Sequence, residues 1–372
     1  METIRIVAAD DSAAMRGLLA HMFTVQPADA HTRMELCAAV PDGASCLHAV
    51  RTLRPDIVLM DLHMPGLGGM EAIVRLRQEW PRLPIIVCTS ATEDGAAATL
   101  EALAHGASDH VTKPIGQADA EAATTFLWTQ LAPRIVALAL PLARHGDRSE
   151  SKTRRSIKAH QQIEVVGIGV STGGPAALER LLPELPEDFP VPVLVVQHMP
   201  KLFTCALAAR LDRCCALHVK QATAGAVLRP GTVWIAPGDS HMEVKRCTHG
   251  LPHIALHHGE LVQHCRPAVD VLFRSLAQTF GTAALGLVLT GMGADGLEGS
   301  RAIDTAGGIV LAQDEASSAV WGMPGRVVAA ALSDAVLPLD KLGETLIALT
   351  ASTGFNASPS EALRQEVRYG IY

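Results

Sequence analysis

The nine residues Gly167-Ile168-Gly169-Val170-Ser171-Thr172-Gly173-Gly174-Pro175 constrain this chain more than any other stretch. A short apolar run rich in β-branched residues, 163–166, leads into them. Behind them, residues 176–182 carry apolar side chains at helical spacing. The segment reads as strand, glycine turn and helix, with Ser171 in the turn. Its centre, Gly169 to Gly173, fits the G-x-S-x-G pattern of a serine nucleophile on a sharp strand-to-helix turn. The glycines permit the tight turn, and the first turn of the helix offers unpaired N–H groups and positive potential to an oxyanion.

Other readings of these residues stay open at this point. Gly167-x-Gly169 hints at a dinucleotide-binding loop, but the third glycine is displaced from G-x-G-x-x-G. No acidic residue closes the next strand, which ends Val195-Val196-Gln197-His198. The serine of an isolated pentapeptide can equally cap the helix. The nucleophile reading needs a base and an orienting acid from elsewhere in the chain.

A length of 372 residues suffices for two or three domains. The net charge of −7 argues against a nucleic-acid-binding surface. The opening Met1-Glu2-Thr3-Ile4-Arg5-Ile6-Val7 lacks the basic flank and long apolar core of a signal peptide. The most apolar helical run, residues 131–142, contains Pro133, Arg134 and Pro141 and is too short to span a bilayer. The 8 cysteines form no C-x-x-C pair, which favours free thiols in a reducing compartment over disulfides or zinc. The expectation is a soluble cytoplasmic protein, without a nucleic-acid partner and not itself a membrane protein.

Up to residue 142 the pattern alternates strand and helix. Strands are expected near residues 4–8, 34–38, 57–60, 85–88 and 110–111. Amphipathic helices are expected near 13–23, 43–53, 69–79 and 95–105, and from 117 onward. Five such units imply a doubly wound, flavodoxin-like, five-stranded parallel sheet with helices on both faces. In such sheets the functional residues gather at the carboxyl ends of the strands. Asp10 and Asp11 follow the first strand, Asp61 the third, Thr89 the fourth and Lys113 the fifth. Three converging carboxylates would repel unless a divalent cation sat among them, and hard oxygen donors suit Mg²⁺. Asp61 is then a phosphoryl acceptor, with Lys113 and the Thr89 hydroxyl pairing to the new oxygens.

The motifs Asp10-Asp11-Ser12, Met60-Asp61-Leu62-His63-Met64-Pro65-Gly66 and Lys113-Pro114 resemble the receiver domain of two-component response regulators. The resemblance implies Asp61 as the phosphorylation site, Mg²⁺ held by Asp10, Asp11 and Asp61, and Thr89 with Lys113 as signalling residues. His110 stands where the family usually carries an aromatic residue, which puts a rotameric aromatic switch in question.

Residues 143–162 are polar, mostly basic and without apolar period, as expected of a flexible linker. Beyond them the alternation resumes, with strands near 193–196, 232–235, 284–289 and 308–311 and a hairpin from 241–244 and 254–257. A second, mostly parallel α/β sheet follows over residues 163–353, leaving a tail of unassigned role at 354–372. His198 and Asp295 each follow a buried-looking strand, as Ser171 does, and so belong at the same sheet edge. A histidine there can take the serine proton, and an aspartate can fix its tautomer. The order Ser…His…Asp differs from the Ser…Asp…His order of α/β-hydrolases.

Five further stretches in this region form a longer pattern: Gly169 to Pro175, Gln197-His198-Met199-Pro200, Ala236 to Met242, Arg266-Pro267-Ala268-Val269-Asp270 and Leu289 to Gly296. Together they resemble the chemotaxis protein-glutamate methylesterase (CheB) family, and the stretch from Gln313 to Pro324 adds to the match. The resemblance implies a Ser171, His198, Asp295 triad with backbone N–H groups of Thr172 and Met292 as oxyanion donors. It implies hydrolysis of glutamyl γ-methyl esters on methyl-accepting chemoreceptors, deamidation of receptor glutamines, and no cofactor for the esterase. A sensor histidine kinase of the chemotaxis system is the implied phosphoryl donor, and residues 1–142 the domain it acts on.

Overall fold

A computed structural model describes residues 3–26, 32–114, 117–140, 161–246 and 250–351. Nearly all of the expected linker, and the whole expected tail at 354–372, lie outside the described residues.

The first half alternates β1 (Thr3–Ala9), α1 (Ala13–Thr24), β2 (Arg33–Val40), α2 (Gly43–Leu53), β3 (Ile57–Asp61), α3 (Gly69–Glu79), β4 (Ile85–Thr89), α4 (Glu93–Ala104), β5 (Asp109–Thr112) and α5 (Ala120–Ala139). Local chemistry sets several helix starts. The side chains of Ser12, Asp42, Thr92 and Asp119 accept from the backbone N–H of Met15, Ser45, Gly95 and Ala122. The five strands pair in parallel in the order β2-β1-β3-β4-β5, as the alternation predicts. Every residue of β3 and β4 is buried, because helices cover both faces of the sheet.

The second half comprises β6 (Val165–Val170), α6 (Gly174–Leu181), β7 (Val193–Gln197), α7 (Lys201–Cys214), β8 (His218–Gln221), β9 (Thr232–Ile235), β10 (His241–Arg246), β11 (Pro252–His257), α8 (Val269–Phe280), β12 (Ala284–Val288), α9 (Leu297–Thr305), β13 (Ile309–Gln313), α10 (Met323–Ala329), β14 (Ala335–Leu337) and α11 (Leu339–Thr350). Seven strands form a sheet in the order β14-β13-β12-β6-β7-β9-β8, and every pairing in it is parallel. The antiparallel hairpin β10–β11 stands apart from it. The edge strands β8 and β14 are additions to the sequence expectation: both are short and only partly buried, so neither carries a strong apolar signal.

Each sheet reverses its strand order at the first strand of its half. β1 lies between β2 and β3, and β6 between β7 and β12. A reversal leaves a crevice at the carboxyl ends of the strands, where no crossover connection fills the space. The halves pack through α4 against α6 and α7. Ala96, Leu100 and Leu103 of α4 share one apolar cluster with Phe203, Leu207 and Leu211 of α7.

Gly169 in β6 lets α8 come close, since a Cβ there would sit 2.3 Å from Val269 Cγ1. Gly169→Ala should overpack this contact by about 1–3 kcal/mol and lower the melting temperature by several degrees in a thermal scan. An unchanged melting temperature would show that the β6–α8 contact has slack.

Candidate active site

Ser171 follows β6, His198 follows β7 and Asp295 lies in the turn after β12, so the three flank the reversal point of the larger sheet. Register places them. Val170 pairs with Gln197 and Val288 with Gly169, so the residues that follow lie side by side. The His198 N–H donates to Val170 O at 3.2 Å, and the Ser171 N–H to Thr290 O at 3.0 Å. The turn demands glycine: Gly173 has φ +77°, and a Cβ there would lie 2.5 Å from Ala319 Cβ. Gly291 has a related role, because a Cβ there would meet Ser171 Cβ at 2.8 Å.

The structure joins two of the three side chains directly. His198 Nε2 lies 2.8 Å from Asp295 Oδ2, and the carboxylate is only 2% exposed. Asp295 has no freedom to move. Its Oδ2 also accepts from the Val269 N–H at 2.7 Å, and its Oδ1 from the N–H groups of Asp270 and Gly296, both at 2.9 Å. Two of those donors open α8, whose N-terminus has no side-chain cap of its own. With Nε2 committed to Asp295, Nδ1 is the nitrogen left to exchange a proton. Ser171 Oγ makes no hydrogen bond to any of the described residues, and the Cys265 sulfur lies 3.7 Å from Nδ1. Burial disfavours the charged imidazole, but the Asp295 hydrogen bond and the Cys265 sulfur outweigh it and push His198 up to about 10.

The expected oxyanion donors have the right availability. Among the described residues, neither the Thr172 nor the Met292 N–H is engaged by an acceptor. Thr172 adds something the sequence did not signal. Its hydroxyl donates to Asp109 Oδ2 of β5 at 2.7 Å, so the first half of the chain touches the residue beside Ser171. Arg134 Nε lies 3.2 Å from the same carboxylate oxygen. Burial works against the charged carboxylate of Asp109, but His110, Arg134 and Thr172 together hold it below the ordinary range. The His110 ring stacks on Phe203 of α7, with centroids 4.8 Å apart and planes at 23°.

The other crevice holds Asp10, Asp11 and Asp61, with one carboxylate oxygen of each lying within 4.8 Å of the others. Lys113 Nζ reaches both Asp10 and Asp61 at 2.8 Å. The Lys113 ammonium is the one partner of the buried Asp10 Oδ2 among the described residues. Burial raises the Asp10 carboxyl above its usual range despite Lys113, and the two carboxylates raise Lys113 against the opposing effect of burial. One ammonium against three carboxylates leaves net negative charge, and this oxygen-only donor set fits Mg²⁺. Thr89 is 1% exposed, and its hydroxyl lies 3.4 Å from Gly95 O.

Residues 166–346 match the CheB methylesterase family, and residues 6–125 match the response regulator receiver domain. The chain is 40% identical over 365 residues to the protein-glutamate methylesterase/protein-glutamine glutaminase of Trichodesmium erythraeum, covering 93% of this chain and 99% of that one. It is 42% identical over 373 residues to the enzyme so named from Nocardioides sp., covering 98% and 100%. The crystal structure of the Thermotoga maritima CheB methylesterase catalytic domain is 41% identical, with a TM-score of 0.50 over 50% of this chain and 99% of that one.

The His198 environment has a measurable consequence. Followed by ¹⁵N NMR in the intact protein, its imidazole should titrate well above 6.5, near 10. Asp295→Asn should lower that value by more than one unit, about 1.4 kcal/mol or more. A wild-type imidazole titrating at or below 6.5 would contradict the electrostatic account.

Proposed function

This chain belongs to the CheB methylesterase family, and from that premise we propose a phosphorylation-regulated protein-glutamate methylesterase that also deamidates protein glutamines. Its substrates are the methyl-accepting chemoreceptors, and its phosphoryl donor is a sensor histidine kinase of the same system. The observation that carries this reading is the His198–Asp295 hydrogen bond, set beside Ser171 at the reversal point of the larger sheet.

In the neutral form of His198, a minor fraction below about pH 10, Nδ1 takes the proton of Ser171 Oγ as the oxygen attacks the γ-carbonyl carbon of the glutamyl ester. Asp295 holds the ring through Nε2 and stabilises the imidazolium. The N–H groups of Thr172 and Met292, free of other acceptors, receive the oxyanion. Collapse expels methoxide, which takes the His198 proton and leaves as methanol. Water, deprotonated by the same nitrogen, then attacks the acyl-serine and releases the glutamate side chain and the Ser171 hydroxyl. With a glutamine substrate, ammonia leaves in place of methanol and the remaining steps are unchanged. Every group in this cycle belongs to the chain, so the esterase requires no cofactor.

Regulation acts through the other crevice. Asp61 accepts the phosphoryl group, Asp10, Asp11 and Asp61 hold Mg²⁺, and Thr89 and Lys113 sense the new oxygens. Bound Mg²⁺ supplies neutralising charge for the incoming phosphate. Lys113 lies on the connection after β5, whose first residue, Asp109, bonds to Thr172. The contact from β5 to the nucleophile turn therefore restrains the esterase, and phosphorylation weakens it. His110, in place of the usual aromatic, packs its ring against Phe203. No helix among the described residues is long and apolar enough to cross a membrane, which is compatible with action from the cytoplasm on receptor helices.

Two measurements of methanol release from methylated receptor test this reading. Ser171→Ala should lose several orders of magnitude in kcat, and retention of wild-type turnover would remove Ser171 from the mechanism. Asp109→Ala and, separately, Thr172→Val should each raise the unphosphorylated rate and reduce its response to a phosphoryl donor. A coupling of about 1–3 kcal/mol corresponds to a rise of roughly 5- to 150-fold. If both variants keep the wild-type ratio of phosphorylated to unphosphorylated activity, this contact is not the restraint.

A further inference from the structure

Cys265 has no part in the ester hydrolysis described above, yet its Sγ faces the one nitrogen of His198 that the reaction needs, at 3.7 Å from Nδ1. The placement is built, not incidental. Val262 and Cys265 close a tight turn with two reciprocal backbone hydrogen bonds of 3.1 and 2.9 Å. Gln263 and His264 take left-handed φ values of 50° and 62° within it. The next residue, Arg266, is anchored by the Asp239 carboxylate and by Gly259 O. The thiol is therefore presented to the imidazole by a fixed segment. A sulfur, an imidazole nitrogen and an Asp295 carboxylate oxygen all lie within 4.8 Å of one another.

We propose that Cys265 Sγ and His198 Nδ1 form a reversible zinc-binding site. Zinc takes thiolate sulfur at about 2.3 Å and imidazole nitrogen at about 2.0–2.1 Å, and tetrahedral coordination then sets the two donors about 3.6 Å apart. The observed separation of 3.7 Å needs almost no rearrangement. Asp295 stays on Nε2 and completes a carboxylate–histidine–zinc arrangement, the pattern that fixes ring orientation and ligand basicity in zinc sites. Because His198 is held protonated at neutral pH, binding releases two protons to solvent, one from the Cys265 thiol and one from His198 Nδ1. His198 contributes its Nδ1 lone pair and keeps the Nε2 proton on Asp295. Water fills the remaining positions, so two protein ligands make a site of modest affinity. The soft sulfur selects against Mg²⁺, which goes to the oxygen-only pocket of Asp10, Asp11 and Asp61. Zinc on Nδ1 leaves no base for Ser171, so the ion also inhibits ester hydrolysis. That second consequence rests on the proposed catalytic role of His198, whereas the binding does not.

Cobalt(II) reports the site directly. With the full-length protein in excess Mg²⁺, Co²⁺ titration should produce a thiolate-to-cobalt charge-transfer band in the near ultraviolet, and Zn²⁺ should bleach it by competition. The oxygen donors of the Mg²⁺ pocket cannot give such a band. Cys265→Ala should abolish it, and Cys265→Ser provides a second removal of the thiolate with a smaller change in volume. In parallel, Zn²⁺ should slow methanol release reversibly by chelator. Both variants should need at least about 10-fold more Zn²⁺ for half-inhibition, each measured against its own zinc-free rate, since losing a ligand costs no less than losing an outer-shell partner. Absence of the band in the wild-type protein, or its persistence in both variants, overturns the site. A Cys265-dependent band without inhibition upholds the site and instead overturns the assignment of His198 Nδ1 as the base.

Discussion

The Asp295 carboxylate is the interaction on which the site depends. A buried carboxylate costs several kcal/mol unless its lone pairs are met, and here all four positions are: three backbone N–H groups and the His198 ring. Two of the backbone donors are the opening N–H groups of α8, so the aspartate supplies from outside the cap that this helix lacks. The neighbouring Asp270 carboxylate repeats the pattern towards α9, its Oδ1 accepting from Gly296 at 3.0 Å and Gly299 at 2.7 Å. The two aspartates thereby clamp the starts of α8 and α9 together. The imidazole is oriented by a group that the fold cannot easily release.

The same logic of strand ends organises both halves. Each parallel sheet reverses at its first strand, and each places its polar chemistry in the crevice that results. The halves differ in what fills that crevice. Three carboxylates and a lysine gather at the smaller sheet, a donor set for a hard cation and a phosphate. At the larger sheet an imidazole is bonded to one carboxylate, beside the turn that carries Ser171. What connects them is short: β5 ends one residue before the lysine and begins at Asp109, whose carboxylate reaches the residue beside Ser171.

Much of this was legible in the sequence. Continuous apolar runs with turn residues after them located β1, β3, β4, β6, β7 and β12, and with them the positions of Asp10, Asp61, Thr89, Ser171 and His198. The edge strands β8 and β14 escaped notice because a strand that is short and only partly buried has no distinctive pattern. Cys265 carried no metal signal, since no second cysteine stands at the spacing by which zinc sites are read. His110 raised a question that sequence could not answer; the structure shows its ring stacked on Phe203, 93 positions along the chain.

The sequence by itself determined the order of elements, the two parallel sheets, and the identity of the residues at their carboxyl ends. It could do so because strand burial and turn chemistry are local properties, written within a few residues of each position. Tertiary structure decided which nitrogen of His198 meets Asp295 and which meets Cys265, which amides hold Asp295, and which side chains from distant segments face the site. Those outcomes depend on contacts across 97 residues for His198 and Asp295, 67 for His198 and Cys265, and 63 for Asp109 and Thr172. Over such separations no local periodicity constrains distance, and only the packed sheet edges bring the atoms together.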